Sequence, residues 1–380
     1  MSRSRALALA VLVLALAAVG AVAALSLGGG DGGSGATPDP RRAQPPGETA
    51  IAGEPPNPVD ALSARQRAGT TVVLRFHGTS APGYVTRALR ERRAAGVILF
   101  ADNLSTPEAL AAMTAELHEA NPGALVMVDQ EGGDIRIVPW AGPPTGQATR
   151  ATTADARAAA TAAGEELQAL GIDVVLGPVA DAGRPGTALA GRSFAGDVAA
   201  LTAATVKGWL RGGVLPTAKH FPGLGASATN TDDAAATVTA GREELDAVDL
   251  PPFQAAIDAG APLVMSSHAV YPALDPERVA SQSRKIMTTL LREELGFEGV
   301  AITDSLEAEA VRANPSTPGA AVRAMAAGND LLLTTGRGSY LDVVLAVEAR
   351  AARDPAFDTR VREAVGRVLQ LQGRAAELRR

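Results

Sequence analysis

The chain lacks cysteine, has few aromatic residues and carries no concentrated positive charge. Without cysteine it can form neither disulfides nor thiolate metal sites, and no cysteine can carry a lipid anchor. The absence does not identify a redox compartment, because exported proteins can also lack cysteine. Aromatic residues make up 3% of the chain, and the Lys and Arg residues are dispersed. A basic cluster interleaved with aromatic residues, typical of a nucleic-acid-binding surface, is therefore missing, and we expect no nucleic-acid partner.

Apolar sequence is plentiful. Of the 380 residues, 46% are hydrophobic and 20% are charged, with a net charge of −6. This composition supports a large core, and a single α/β barrel of about 250 residues or more would use most of the chain.

The N-terminus predicts export. Arg3 and Arg5 precede an uncharged apolar run, Ala6–Leu27, which as a helix could span a hydrocarbon layer of about 30 Å. A shorter secretory signal, cleaved near Ala21-Val-Ala23, is the alternative. Residues 1–27 are therefore predicted to be a signal peptide or signal anchor. We expect the protein in the cell envelope or secreted, with membrane contact only through this segment.

Residues 28–58 are rich in Gly and Pro and predict a flexible linker. From residue 59 to 380 short apolar runs alternate with amphipathic stretches. We predict strands at Thr71–Phe76, Gly96–Phe100, Ala124–Val128, Asp173–Leu176, Val214–Ala218, Pro262–Ser266, Gly299–Thr303 and Asp330–Thr334. Eight strands with helices between them predict a single (β/α)8 TIM-type barrel, an α/β fold.

Helices are predicted between the strands. Examples are Pro107–Ala120, Thr153–Leu170, Asp197–Arg211 and Ser283–Leu295. Ser105 and Ser283 are candidate N-caps, and Gly171 and Gly296 are candidate C-terminal stops.

Polar residues follow most of the predicted strands. They are His77, Asp102, Asn103, Asp129, Gln130, Glu131, Asp181, Lys219, His220, Ser267, His268 and Asp304. In a parallel barrel the carboxyl ends of all strands meet at one face, where active sites are built. The bias toward one strand end predicts an active site there, although a single Asp after a strand is often only a helix N-cap.

Four separated motifs resemble those of family 3 glycoside hydrolases, in the branch of single-domain bacterial β-N-acetylglucosaminidases. They are Val126-Met-Val-Asp-Gln-Glu-Gly-Gly133, Gly191-Arg-Ser-Phe194, Lys219-His-Phe-Pro-Gly223 and Thr303-Asp-Ser-Leu306. The resemblance runs from about residue 60 to the C-terminus, with the motifs in the family's order. It implies cleavage of terminal β-linked sugars, N-acetylglucosamine from cell-wall-type glycans above all, without a cofactor.

The resemblance also implies roles for individual residues. Asp304 matches the nucleophile, which forms a covalent glycosyl-enzyme in a retaining mechanism. Asp129, Arg192, Lys219 and His220 match residues that hold the sugar beside the cleaved bond. Charged hydrogen bonds to ring hydroxyls supply orientation as well as affinity.

The chain departs from this branch in its acid/base loop. The branch carries an Asp-Ser-His dyad there, whereas this chain has Asn230 and Asp232 at the corresponding positions. One interpretation makes Asp232 the acid/base, giving a two-carboxylate pair that needs a separation of about 5–5.5 Å. The other interpretation is a catalytically impaired descendant that still binds sugar. A second departure is Asp134, where Arg is usual; whether Arg136 substitutes is open.

A metal-dependent barrel hydrolase is a further alternative. His77, His220, His268 and Asp304 all follow predicted strands. Barrel metal sites usually need two histidines close together on one strand, and only His77 lies at the end of the first. No resident metal is therefore expected.

Overall fold

The structure, a computed structural model, describes residues 57–312 and 316–380. The predicted signal or anchor segment, residues 1–27, and nearly all of the predicted linker, residues 28–58, lie outside the described residues. Among the residues it describes, no helix is both long and apolar enough to cross a bilayer.

Eight short parallel strands form the centre of the fold. In chain order they are β1 (Val72–Arg75), β2 (Gly96–Leu99), β3 (Leu125–Val128), β4 (Val174–Val175), β5 (Leu215–Phe221), β6 (Leu263–Ser266), β7 (Val300–Thr303) and β8 (Leu332–Leu333). Neighbours in sequence are neighbours in the sheet, β8 pairs with β1, and one bridge between Ile302 and Leu331 joins β7 to the residue before β8. The predicted (β/α)8 barrel is confirmed.

Helices precede, separate and follow the strands. They are Ala64–Thr70, Gly83–Arg90, Pro107–Ala120, Thr153–Ala169, Val198–Arg211, Arg242–Glu244, Pro251–Asp258, Glu309–Arg312, Thr317–Ala327, Ser339–Ala351 and Pro355–Leu378. Two further segments, Leu245–Asp249 and Lys285–Glu294, are π-helical. Three 3₁₀ turns (Ala101–Asn103, Gln147–Thr149 and Ala280–Gln282) and two small hairpins (Gln130–Gly132 with Ile135–Arg136, Val270–Tyr271 with Asp275–Val279) complete the elements.

The predicted helix ends are mostly confirmed. Gly171 and Gly296 both adopt positive φ, as expected of C-terminal stops. The Ser283 hydroxyl accepts the Ile286 N–H at 3.3 Å, although the segment that follows is π-helical. The predicted cap Ser105 is wrong: Thr106 accepts the Ala109 N–H, because Pro107 occupies the first helical position.

Alternate strand residues point into the barrel, where they form one apolar cluster. Val73, Ile98, Met127 and Met265 belong to it, while their strand neighbours pack against the surrounding helices. Val368, Leu371 and Ala375 of the C-terminal helix join the same cluster near the strand starts. The Gln372 side chain donates to Ala95 O at 3.0 Å, just before β2. The C-terminal helix therefore plugs the amino end of the barrel, and the carboxyl end is left for a site.

Strand β5 is longer than predicted. The apolar run ends at Ala218, but the strand continues to Phe221, so Lys219 and His220 lie inside it and are buried. The pairing with β6 shifts register after Ala218, and Phe221 pairs with Ser266. A buried cation is costly unless it is paired, so this extension depends on acidic partners from other strands.

Candidate active site

A cavity of about 250 Å³ opens at the carboxyl end of the barrel. All six side chains predicted for the site line it: Asp129, Arg192, Lys219, His220, Asp232 and Asp304. Apolar residues complete the wall, namely Ile98, Phe100, Ile135, Ile137, Leu176, Met265 and Leu333. The fold thus brings together residues that are up to 175 positions apart in the chain, Asp129 and Asp304.

Lys219 and Arg192 share a buried carboxylate. Lys219 Nζ lies 2.6 Å from Asp129 Oδ1 and 2.7 Å from Glu131 Oε1. Arg192 donates from Nε and Nη2 to the two Glu131 oxygens, at 2.9 and 2.7 Å. Arg192 therefore forms a bidentate pair inside the cavity, not a surface salt bridge.

These contacts keep the three groups charged. Burial would raise the pKa of Glu131, but Lys219 and Arg192 outweigh it and lower that pKa to about 2. Burial would likewise lower the pKa of Lys219, and the carboxylates of Asp129 and Glu131 raise it instead. Glu131 lies within the Asp-Gln-Glu-Gly-Gly motif, but the sequence did not indicate that it pairs with Lys219 and Arg192. Its low pKa and its two occupied oxygens make it unsuited to donate a proton.

His220 is oriented by a second buried acid. Its Nδ1 lies 2.7 Å from Asp181 Oδ2, and Asp181 also accepts the backbone N–H groups of His220 and Leu224. Asp181 is fully buried. This contact engages Nδ1 and leaves Nε2 of the cavity-lining imidazole for a ligand. The sequence showed Asp181 after the fourth strand without indicating its partner.

Asp304 follows β7 and is favoured in its ionised form. Burial alone would raise its pKa. His220, His268, the Ser305 N–H (2.7 Å from Oδ1) and Lys219 together outweigh burial and hold the pKa of Asp304 below its usual value. A carboxylate that stays ionised at neutral pH is what a nucleophile requires.

The pKa of Asp232 is shifted in the opposite direction from that of Asp304. Partial burial against the cavity wall, followed by repulsion from the Asp304 carboxylate, raises the pKa of Asp232. Its side chain is exposed at the cavity mouth, so solvent weakens both effects. The backbone is tied to the segment after Asp304: Glu309 N–H donates to Asp232 O at 3.3 Å, and Ala310 N–H donates to Thr231 O at 3.2 Å.

The hairpin after β3 turns an apolar edge to the cavity. Ile135 and Ile137 are among the lining residues, and Arg136, which lies between them, is not. Because neighbouring residues of an extended segment point to opposite sides, Arg136 is directed away from the wall. Arg136 does not line this cavity and so does not replace there the Arg that is usual at position 134.

The four groups of the metal alternative do not converge. His77 pairs with Asp102 at 2.7 Å and is not among the cavity residues. His268 is fully buried, and its ring nitrogens contact Ser281 Oγ at 2.7 Å and Ser305 O at 3.0 Å. Over residues 57–312 and 316–380, no group of three or more His, Asp or Glu side chains is arranged to hold a metal ion. The geometry gives this alternative no support.

Comparison with known proteins identifies the family. The model of the glycosyl hydrolase family 3 N-terminal domain matches residues 81–371. A protein named uncharacterized secreted glycosyl hydrolase from Arthroderma benhamiae is 33% identical over 83% of this chain and 95% of its own length. A β-hexosaminidase from Xanthomonas oryzae is 35% identical over 69% of this chain and 82% of its own length.

Solved structures agree with this assignment. A family 3 β-N-acetylglucosaminidase from Paenibacillus sp. superposes with a TM-score of 0.79 at 34% identity, covering 83% of this chain and 63% of that longer protein. A β-N-acetylhexosaminidase from Beutenbergia cavernae superposes with a TM-score of 0.75 at 33% identity, covering 82% of this chain and 99% of that one. By fold and by sequence, the chain belongs to glycosyl hydrolase family 3.

Proposed function

We propose that the protein is a retaining β-N-acetylhexosaminidase that removes terminal β-linked N-acetylglucosamine. The names of the Xanthomonas, Paenibacillus and Beutenbergia relatives support this substrate class. The small cavity, closed below by the barrel interior, suits an enzyme that acts on a terminal sugar. In this proposal the hydroxyls of that sugar are held by four residues that line the cavity, Asp129, Arg192, Lys219 and His220.

The observation that carries the proposal is the opposite pKa shifts of two carboxyl groups in one cavity. The pKa of Asp304 is lowered and that of Asp232 is raised. Environments that separate the pKa values of neighbouring titratable groups assign acid and base roles to them. Asp304 is thereby suited to be the nucleophile, and Asp232 to be the proton donor.

The reaction then has two steps. A carboxylate oxygen of Asp304 attacks the anomeric carbon while the bond to the leaving oxygen breaks, and Asp232 protonates that oxygen. Water next attacks the glycosyl-Asp304 ester, with ionised Asp232 taking its proton, and releases the sugar with its anomeric configuration retained. Lys219 and Arg192 stay charged throughout, because Glu131 balances them.

Sugar binding without efficient turnover is the second candidate. The observation favouring it is the weak support of Asp232, whose carboxylate contacts Asn230 Nδ2 only at 3.5 Å. No His from the acid/base loop backs it, since all four histidines lie elsewhere in the sequence. Losing general acid catalysis typically costs about 10²–10⁴ in rate.

Kinetics with two kinds of leaving group test these assignments. Asp304→Asn should abolish hydrolysis of both an aryl β-N-acetylglucosaminide and a natural disaccharide. Asp232→Asn should slow the disaccharide far more than the aryl substrate, because a good leaving group departs without a proton. Added azide should partly rescue Asp232→Asn on the aryl substrate by attacking the glycosyl-enzyme. The neighbouring exposed residue supplies the matched control, Asp233→Asn.

Two outcomes would revise the proposal. If Asp232→Asn hydrolyses the disaccharide like the wild type, Asp232 is not the acid. If the wild-type protein hydrolyses neither substrate but binds N-acetylglucosamine, the non-catalytic candidate replaces the enzyme.

We further propose that the barrel begins near residue 59 and acts outside the cytoplasm on cell-wall-type glycans. Arg3, Arg5 and the apolar run after them support export, as does the secreted Arthroderma relative. In this proposal residues 1–27 are the signal or anchor, and residues 28–58 are the linker.

A further inference from the structure

Another buried carboxylate, Asp249, packs against Gly223, near the start of the loop that carries Asp232. It ends the π-helical segment Leu245–Asp249, its side chain is fully buried, and it is not among the cavity residues. π-Helical turns are rare and often occur at functional sites. Among the described residues, Asp249 Oδ1 has no hydrogen-bond partner. A buried, half-satisfied carboxylate is costly, so its presence calls for an explanation.

Asp249 supports the start of the loop directly. Gly223 adopts φ +124°, and a Cβ built at this glycine would lie 2.7 Å from Asp249 Cβ. The Gly223 backbone is therefore packed tightly against the Asp249 side chain. On the same turn, the Tyr271 hydroxyl donates to Gly223 O at 3.0 Å. Gly223 directly follows Pro222 and lies three residues after His220.

Asp249 also holds the loop through Arg184. Its Oδ2 accepts Arg184 Nη2 at 3.1 Å, and the same nitrogen donates to Glu244 at 2.8 Å. The Arg184 backbone N–H donates to Gly225 O at 3.3 Å. At Gly225 an added Cβ would lie 2.2 Å from Ala182 O, so here too the loop lies directly on its neighbour.

We propose that Asp249 is a positioning residue, which through Gly223 and Arg184 fixes the course of the loop 222–233 and so places Asp232 at the cavity mouth. This inference rests on the proposed function for the role of Asp232. This role is separate from sugar binding, because Asp249 packs against Gly223 and is not among the cavity residues.

The charges around Asp249 supply a pH-dependent signature. Burial, opposed by Arg184 and assisted by Asp181 and Glu244, raises the pKa of Asp249 to about 6 from 3.8. Tyr271 is a further titratable group in this region, and the charge of Asp249 contributes to the raised pKa of Tyr271. Because the pKa of Asp249 is higher when its side chain is packed against the loop, the protonated form favours the packed state. Packing is therefore strongest below about pH 4 and weakens as pH rises toward about 6. Release of the loop should therefore become easier as pH rises from about 4 to about 6.

Hydrogen exchange combined with kinetics tests the proposal on the full chain. The variants are Asp249→Ala, the isosteric Asp249→Asn and the control Asp246→Ala, which removes an exposed carboxylate three positions earlier. Exchange is followed in peptides covering residues 222–233 and corrected for intrinsic rates. Asp249→Ala should raise exchange there about 10-fold while the barrel strands keep their protection. Asp249→Asn should keep most of the protection and remove its pH dependence between about pH 4 and pH 6.

Kinetics should follow the loop. Asp249→Ala should lower kcat for the disaccharide about 10-fold, with KM nearly unchanged and less loss on the aryl substrate, as expected when a proton donor is misplaced. Wild-type exchange in residues 222–233 of Asp249→Ala would overturn the proposal. If Asp249→Ala unfolds completely, Asp249→Asn decides. Loop exchange in Asp249→Asn with the same pH dependence as the wild type would overturn the proposal. A wild-type protein inactive on both substrates would refute the proposed function, while exchange would still decide whether Asp249 holds the loop.

Discussion

Replacing Glu131 by Gln should destabilise the barrel and disorganise the sugar site together. Glu131 is buried and forms ion pairs with both Lys219 and Arg192. In Glu131→Gln, Lys219 keeps its ion pair with Asp129, whereas Arg192 loses both of its charged hydrogen bonds. Removing one partner of a buried ion pair leaves the other charge uncompensated, which typically costs about 3–5 kcal/mol.

The pKa of Glu131 gives an independent magnitude. Its fall from 4.5 to about 2 is a change of about 2.5 pKa units, or roughly 3 kcal/mol at about 1.4 kcal/mol per unit. A depressed carboxyl pKa stabilises the fold fully above the unfolded value of 4.5, and this contribution is lost as pH falls toward 2. The raised pKa of Lys219 reflects the same contacts and is not counted again. Against a total stability of about 5–15 kcal/mol, the loss should be easily measured.

Urea unfolding of the wild type and Glu131→Gln between pH 7 and pH 3 is the assay. The difference in unfolding free energy should be about 3 kcal/mol at pH 7 and should shrink below pH 4.5. The matched control is Glu294→Gln, since Glu294 forms an exposed ion pair with Arg242 that is worth about 0–1 kcal/mol. A difference below about 1 kcal/mol, constant with pH, would refute the reasoning that Glu131 carries the charge balance of the site.

Three further predictions concern binding, pH dependence and location. Arg192→Ala should weaken N-acetylglucosamine binding about 10- to 100-fold by calorimetry; unchanged affinity in a folded variant would remove Arg192 from the site. Turnover of the disaccharide should fall as pH rises and Asp232 loses its proton, and Asp232→Asn should remove that decline; a decline that persists in the variant would assign it to another group. Cell fractionation should place the protein in the envelope or medium, and a cytoplasmic pool of full-length chain would contradict export.

Much of the fold was readable in the sequence because the barrel strands are continuous apolar runs. Such runs predicted all eight strands. The amphipathic stretches between them predicted the helices, and for Pro107–Ala120 both ends were predicted correctly. The predicted ends of helices were less accurate where a neighbouring residue decides the cap. Because Pro107 is the first helical residue, the N-cap is Thr106 and not Ser105. The extension of β5 was missed because Lys219 and His220 are charged or polar, and their burial depends on acids far away in the chain.

The sequence by itself determined the barrel and the family, and it indicated six of the residues that line the cavity, because strand patterning is local and the motif residues follow the strands. Only the tertiary structure decided which groups pair: Glu131 with Lys219 and Arg192, Asp181 with His220, and Asp249 with Arg184. It also decided that Asp304 and Asp232 have opposite pKa shifts. Charge interactions and burial depend on distances between residues remote in the chain, and local sequence patterns carry no such distances.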